Sequence, residues 1–451
     1  MKAQIRLALL VCCFTHFAPI QSAFSWGAKA PKTKIPEAPD VSEYLINGDT
    51  LRERLLSNST AVIYSANALR SSKNSVQLAR ANLLPSLQLG AVLSSLSAPS
   101  FLLSSVQALL PFLVPERWFN YSKSKYMLQA DLSAYYLVEL NTYASAYALY
   151  MTVLNDQALL LEFEQDLVDW REIEALALQR FQWGIADQNE LSLAQSRRAL
   201  SALRVDRIRT LLLSEYSALR NALNLKPSTE LKLEAAIVPE SPLEQMSFDQ
   251  ALDKIFEVAP EFSQISSLIN AAKKDRWGKV FSFVSTPTLG NSSSSGSNVS
   301  VAFDDSKGGA GASIGFDYPV RISMGQRNID QLRIREDELR RELTYLLDTL
   351  QKQGSLLQSR LSLAREAETS LRENFAAQLD RYKWGEGTSF IDVLLSRLGI
   401  LEAVTERIGA QSDQNLFRIN LHRLLISGEF TDIKPCQNPR FGNKNYTPDC
   451  Q

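Results

Sequence analysis

Arg180-Phe181-Gln182-Trp183-Gly184 and Arg381-Tyr382-Lys383-Trp384-Gly385 share arginine, an aromatic residue, tryptophan and glycine in the same order, 201 residues apart. Glycine tolerates the left-handed backbone of a tight connection. Each pentapeptide therefore reads as the point where one helix ends and the next folds back. What surrounds them is equally telling. Between Pro115 and Pro227 there is no proline and Gly184 is the only glycine, and between Pro319 and Pro435 there is again no proline. Inside a helix proline costs about 3 kcal/mol and glycine about 1 kcal/mol, so both spans read as long helices. A helix from Glu116 to Gln179 would run about 95 Å at about 1.5 Å per residue. The second span also carries a heptad seam: Leu339, Leu343, Leu346, Leu350, Leu357 and Ala364 fall on alternating four- and three-residue steps, with Gln353 and Arg360 as polar interruptions.

The flanks have a different period. Residues 83–112 alternate, with Leu87, Leu89, Ala91 and Leu93 opposite Ser86, Gln88 and Gly90. Residues 280–319 do the same: Ala312, Ile314, Phe316 and Tyr318 alternate with Ser313, Gly315 and Asp317, after the Ser-rich turn at 291–298. This is strand periodicity. An isolated two-stranded hairpin is marginal in water, so such strands need partners, and oligomerisation is the economical source. The repeat extends to these flanks. Leu84-Pro85-Ser86-Leu87 is echoed by Thr286-Pro287-Thr288-Leu289, and Leu110-Pro111-Phe112 by Tyr318-Pro319-Val320. The period is too long for a solenoid. It points to one duplicated module of helix, hairpin, helix, turn and helix.

The N-terminus has Lys2 and Arg6, an apolar run from Leu7 to Phe17, then Ala23-Phe24-Ser25. That is the layout of a cleavable secretory signal over residues 1–25, too short for a span, which needs about 20 apolar residues. The residues before Cys12 and Cys13 do not offer the small side chain that a lipidation site requires. Residues 26–45, with Pro31, Pro36 and Pro39, read as an extended leader. Beyond the signal, 46 Lys and Arg stand against 49 Asp and Glu, which is no footprint for nucleic acid. No later stretch stays apolar for about 18 residues, so a membrane role would require a β-barrel. Cys436 and Cys450 lie in a polar tail at 431–451. They are even in number in an exported chain, which suits a disulfide; the other reading is two free thiols.

Chemistry finds little support. After the signal the only histidine is His422, in a helical stretch, and there is no Gly-rich phosphate loop. Zinc sites and His- or Cys-based nucleophilic catalysis are poorly supported. We expect no enzyme, cofactor or metal.

Two tandem modules, each with a helix entering a Leu-Leu-Pro-Ser-Leu-like element, a strand pair ending in a Pro-Leu-Phe-like element and an Arg-aromatic-x-x-Gly turn, resemble the TolC-type outer-membrane efflux protein family. The resemblance covers about residues 45–430. It implies a mainly α fold with a small β part: long helical hairpins forming a trimeric helical barrel, with four strands per chain in a shared twelve-stranded transmembrane β-barrel. Residues 86–110 and 280–318 would supply the strands. Helices at about 50–83, 116–179, 188–224, 248–278, 326–380 and 388–427 would form the conduit. The repeats would be 46–240 and 241–430, with Pro227 to Met246 crossing between the halves.

The implied function is a passive exit duct for efflux or secretion, lying in the outer membrane and extending into the periplasm, with a homotrimer, a periplasmic adaptor and an inner-membrane pump as partners. The turns would lie at the periplasmic tips, with Trp183, Gly184, Trp384 and Gly385 as contact or tip-forming positions. Exposed aromatics make good anchors; alternatively the tryptophans pack inside the bundle and brace the turn. The family has a smaller apolar residue before each glycine, so tryptophan is a departure. Asp392 matches an aspartate that narrows the tunnel entrance in the family, where a ring of three carboxylates would bind cations; the plainer reading is a solvated helix carboxylate. The family's next aspartate is Leu395 here, and Asp187 and Glu190 are weaker candidates. The rival from another class is a periplasmic coiled-coil scaffold or adhesin without a pore.

Overall fold

A computed structural model of the chain describes residues 42–83, 115–282, 287–291, 299–303, 318–384, 387, 389–441 and 447–450. The expected signal peptide, most of the leader, the first strand pair at 86–110, the Ser-rich turn beyond Asn291 and Gly385 lie outside the described residues. Within them the chain forms β1 (Glu43–Ile46), α1 (Gly48–Asn58), α2 (Thr60–Ala81), α3 (Pro115–Gln182) and α4 (Gln188–Ala222), then β2 (Glu230–Leu233). After a short 3-10 turn at Pro242–Glu244 come α5 (Phe248–Val258), α6 (Pro260–Val280), β3 (Pro287–Asn291), β4 (Val299–Phe303), α7 (Tyr318–Trp384) and α8 (Phe390–Leu425). A second 3-10 turn at Gly428–Asp432 leads to β5 (Pro439–Arg440) and β6 (Asp449–Cys450).

The helices repeat in length as well as order. α1 to α4 have 11, 22, 68 and 35 residues, and α5 to α8 have 11, 21, 67 and 36. Both long helices carry a proline in their first turn, Pro115 and Pro319, where the missing N–H costs nothing and the fixed φ favours helix. Three boundaries differ from expectation. The helix expected over 50–83 is broken at Ser59 (φ −65°, ψ 131°), and that expected over 248–278 is broken at Ala259 (φ −62°, ψ 117°). Pro260 accounts for the second break, because the residue before a proline is pushed out of the helical region. α7 begins at Tyr318 rather than 326, so Tyr318 and Pro319 belong to a helix and not to the end of a strand.

The heptad seam of α7 is real but displaced by one position at Leu346. Leu346 is 43% exposed, whereas Leu347 is fully buried, together with Leu343, Leu350, Leu361 and Ala364. The steps from 343 to 347, 350, 354, 357, 361 and 364 alternate four and three. Gly354 occupies a seam position for a steric reason: a Cβ there would meet Phe417 Cζ of α8 at 2.8 Å.

α3 packs against α2, α4, α6 and α8, while α7 packs against α6, α8 and α5. α3 is thus the spine. Its middle carries Tyr136, Leu140, Tyr143, Tyr147 and Tyr150, buried against Ile46, Leu51, Leu55, Leu219 and Phe430. Tyr143 and Tyr147 stack at 5.6 Å, and Phe430 meets Tyr143 edge-on at 5.1 Å. β1 pairs in parallel with β2, from Glu43↔Glu230 to Ile46↔Leu233, tying the chain before the first module to the connector between modules. β3 and β4 form an antiparallel hairpin with Pro287 opposite Phe303 and Asn291 opposite Val299. Of the four strands expected, these two fall among the described residues. Among those residues no helix is long and apolar enough to cross a membrane.

Candidate functional site: the paired helical tips

The far ends of α3 and α7 come together. At the first, Gly184 has φ +73°, its N–H donates to Phe181 O at 3.0 Å, and Ile185 N–H donates to Arg180 O at 2.9 Å. This pair of bonds closes the helix end around a left-handed glycine. Asp187 then caps α4, accepting from Glu190 N at 2.8 Å. In the second turn, Gly387 has φ +75°. Ser389 caps α8 through a reciprocal box, its hydroxyl accepting from Asp392 N at 3.3 Å while Asp392 Oδ2 accepts from Ser389 N at 3.0 Å and Ser389 Oγ at 2.8 Å.

The arginine and tyrosine of the repeated motif hold the two turns to each other. Arg180 Nη1 donates to Tyr382 O at 2.9 Å, and its guanidinium lies 4.3 Å from the centre of the Tyr382 ring. The Tyr382 hydroxyl donates to Glu190, which Arg180 also approaches at 4.0 Å. Burial, with the neighbouring Glu190 carboxylate, pushes the Tyr382 hydroxyl well above its usual pKa, so it stays a donor. Beneath them Trp170, Ile173, Ala177, Leu191, Ala194, Phe390, Val393 and Leu394 form a shared apolar core. The tips are therefore one packed body.

One step further along the bundle, Arg397 of α8 and Asp166 of α3 are buried and paired at 3.0 Å. Arg397 also meets Asp169 at 2.9 Å, and Ser201 Oγ of α4 donates to Asp166 Oδ2 at 2.7 Å. Higher up, Arg372 of α7 and Arg407 of α8 both reach Glu162 of α3. Charge thus joins the two hairpins, buried at Asp166 and Arg397 and partly exposed at Glu162.

The tryptophans do not brace these turns from within. Trp183 is 64% exposed and Trp384 is 80% exposed, and Ile185 and Phe181 stand open beside them. Together they present an aromatic and apolar end surface. Asp392 is exposed in the first turn of α8, and its bonds from Ser389 hold its carboxyl below the usual carboxylate range. It is anionic, and it also has the structural task of closing the capping box. Leu395, one turn on, is exposed. Glu190 faces inward to Tyr382, while Asp187 serves as a cap.

His422 is buried, sharing a hydrogen bond with Ser427 Oγ at 2.8 Å and another with Pro239 O at 3.1 Å, which accounts for both ring nitrogens structurally. Among the described residues no cluster of His, Cys, Asp and Glu could hold a metal ion. Cys436 and Cys450 are joined as a disulfide. Arg180 and Tyr382 were not among the expected site residues, although both lie inside the repeated motif. Neither were Asp166 and Arg397, which carry no local signal in the sequence.

No protein-family model matches the chain, and no curated relative is found by sequence. Solved structures do match. The outer membrane protein VceC of Vibrio cholerae superposes with TM-score 0.66 at 12% identity, covering 84% of this chain and 96% of that one. The outer membrane channel CmeC of Campylobacter jejuni gives 0.64 at 13%, covering 91% and 93%. CusC, solved in a study of transmembrane channel formation, gives 0.65 at 12%, covering 90% and 98%. With almost the full length of each matched, the chain has the fold of the TolC-like outer-membrane channels.

Proposed function

We propose that the chain is one subunit of a trimeric exit duct in the outer membrane, through which molecules leave while a pump elsewhere supplies the energy. The observation that carries this reading is the duplicated set of helices, with a strand hairpin between α6 and α7, on a fold shared with solved outer-membrane channels. The strands of 86–110 and of the stretch between α6 and α7, β3 and β4 among them, would join those of two other copies in a closed barrel, which leaves no unpaired edge in the lipid. Exposed leucines along the helices, such as Leu200, Leu203 and Leu213 on α4 and Leu356 and Leu363 on α7, suit burial against neighbouring copies. The reading assigns the chain no bond-making chemistry. It is a path and not a catalyst.

The tips would be the end that meets a periplasmic adaptor. Trp183 and Trp384, beside Gly184 and Gly385, would be the anchors, their exposure being the supporting observation. Asp392, anionic and held by Ser389, would contribute to a three-carboxylate constriction. The test is conductance of the detergent-extracted protein in planar bilayers. Discrete channels are expected, and Asp392→Asn should raise conductance or weaken block by divalent cations. A protein soluble without detergent and silent in bilayers would sink the duct, and an unchanged Asp392→Asn channel would remove that residue from the constriction.

A further inference from the structure

The last residues of the chain form a feature that the duct reading does not use. β5 and β6 are strands of two residues each, paired antiparallel with Pro439 opposite Cys450 and Arg440 opposite Asp449. So short a ribbon has no core of its own and needs an external staple. Among the described residues, its attachments lie on α2 and α3. Cys436 is buried among Val62, Ala66 and Leu69 of α2 and Tyr135 of α3, with Phe441 packed on the same cluster. Arg70 and Lys73 lie 5.7 and 5.8 Å from the Phe441 ring centre, and Lys73 Nζ donates to Pro439 O at 2.5 Å. The disulfide closes this segment across a separation of 14 residues, with Cα atoms 4.9 Å apart.

The two cysteines differ in exposure. Cys436 is 4% exposed, whereas Cys450, on β6, is an exposed residue. Thiol–disulfide exchange needs a thiolate to approach one sulfur directly. Access therefore selects Cys450.

We propose that the ribbon of β5 and β6, with Cys436 and Phe441, is a disulfide-fastened clasp on α2, and that Cys450 is the sulfur through which a protein dithiol–disulfide oxidoreductase closes it. In closure, the enzyme's disulfide is attacked by the Cys450 thiolate, giving a mixed disulfide and one enzyme thiolate. The Cys436 thiolate then attacks Cys450 Sγ, forming the Cys436–Cys450 bond and releasing the enzyme as a dithiol. The chain loses two electrons and two protons, and the enzyme's disulfide gains them. Opening by a dithiol runs the same steps backwards, with attack on Cys450 and Cys436 as the leaving thiolate. With the bond open, the ribbon loses its staple and the Val62, Ala66 and Leu69 face of α2 loses its cover. The proposal depends neither on a barrel nor on adaptor docking.

The test uses the full chain as isolated. Brief exposure to glutathione, acid quenching, alkylation and peptide mapping should find the glutathione on Cys450 over Cys436 by about tenfold or more, as exposure demands. After complete reduction with dithiothreitol, amide exchange over residues 62–73 should quicken by about tenfold, while residues 165–200 near the tips keep their rates. Glutathione found equally or mainly on Cys436 would overturn the assignment of Cys450. Unchanged exchange over 62–73 would overturn the clasp, as would alkylation of both cysteines before any reductant is added.

Discussion

α3 and α7 are the same element used twice, and they have come to differ in what surrounds them. Their lengths are 68 and 67 residues, each starts on a proline turn and ends in a tryptophan-bearing tip. Yet α3 is enclosed by α2, α4, α6 and α8, and buries tyrosines, Glu139 and Asp166 along its course. α7 has fewer neighbours in the chain and buries a narrow leucine seam, with Arg, Glu and exposed leucines around the rest. Duplication sets length and ends, whereas neighbours set burial. A polar group on α3 is therefore worth far more than one on α7.

The largest expected effect tests that difference with charges. Arg397→Ala would strip the buried Asp166 of α3 of its nearer cationic partner and leave Arg204 of α4 at 3.7 Å, a loss of about 3 kcal/mol. Arg360→Ala on α7 removes an exposed group paired with Glu406 and Asp413, and exposed pairs are worth about 0–1 kcal/mol. Denaturant unfolding of the two variants measures the gap, and equal losses would break the comparison. A second contrast lies within α7. Leu347→Ala should cost about 2–5 kcal/mol by opening a cavity in the seam, whereas Leu346→Ala, one residue away, should stay within about 0.5 kcal/mol. A reversed order would restore the seam read from sequence.

The smallest effect depends on pH. Burial pushes Glu139 from 4.5 up to about 7, with a hydrogen bond from Tyr135 pulling the other way. Because the folded pKa is raised, the contribution is fully present below about pH 4.5 and is lost as pH rises through about 7. The loss across that window is at most about 3 kcal/mol. Glu139→Gln cannot ionise, so its stability should fall less than the parent's between about pH 5 and about pH 8. Parallel curves for the two would mean that Glu139 is ionised in the fold.

What sequence revealed of this molecule was local, and what it concealed was tertiary. Proline spacing located both long helices, and the glycine of the first turn marked its left-handed residue. Pro260 carried the break in the second module in plain view, but the equivalent break at Ser59 has no proline to announce it. The seam of α7 could not be placed between Leu346 and Leu347, because adjacent leucines satisfy either register and the choice falls to Phe417 of α8 over Gly354. At the site, the tryptophans were visible, but their exposure was not. The bond from Arg180 to Tyr382 spans 202 residues, and the Asp166 and Arg397 pair joins different modules, so only the folded chain brings them together.

The central claim is that three copies of this chain enclose one path through a membrane. Electron cryo-microscopy of the detergent-extracted full chain tests it directly. A threefold particle is expected, in which residues 86–110 and the stretch between α6 and α7 of each copy supply four strands to one closed barrel, with Trp183 and Trp384 at the opposite end. A monomer or a twofold assembly, with those segments outside any barrel, would contradict it.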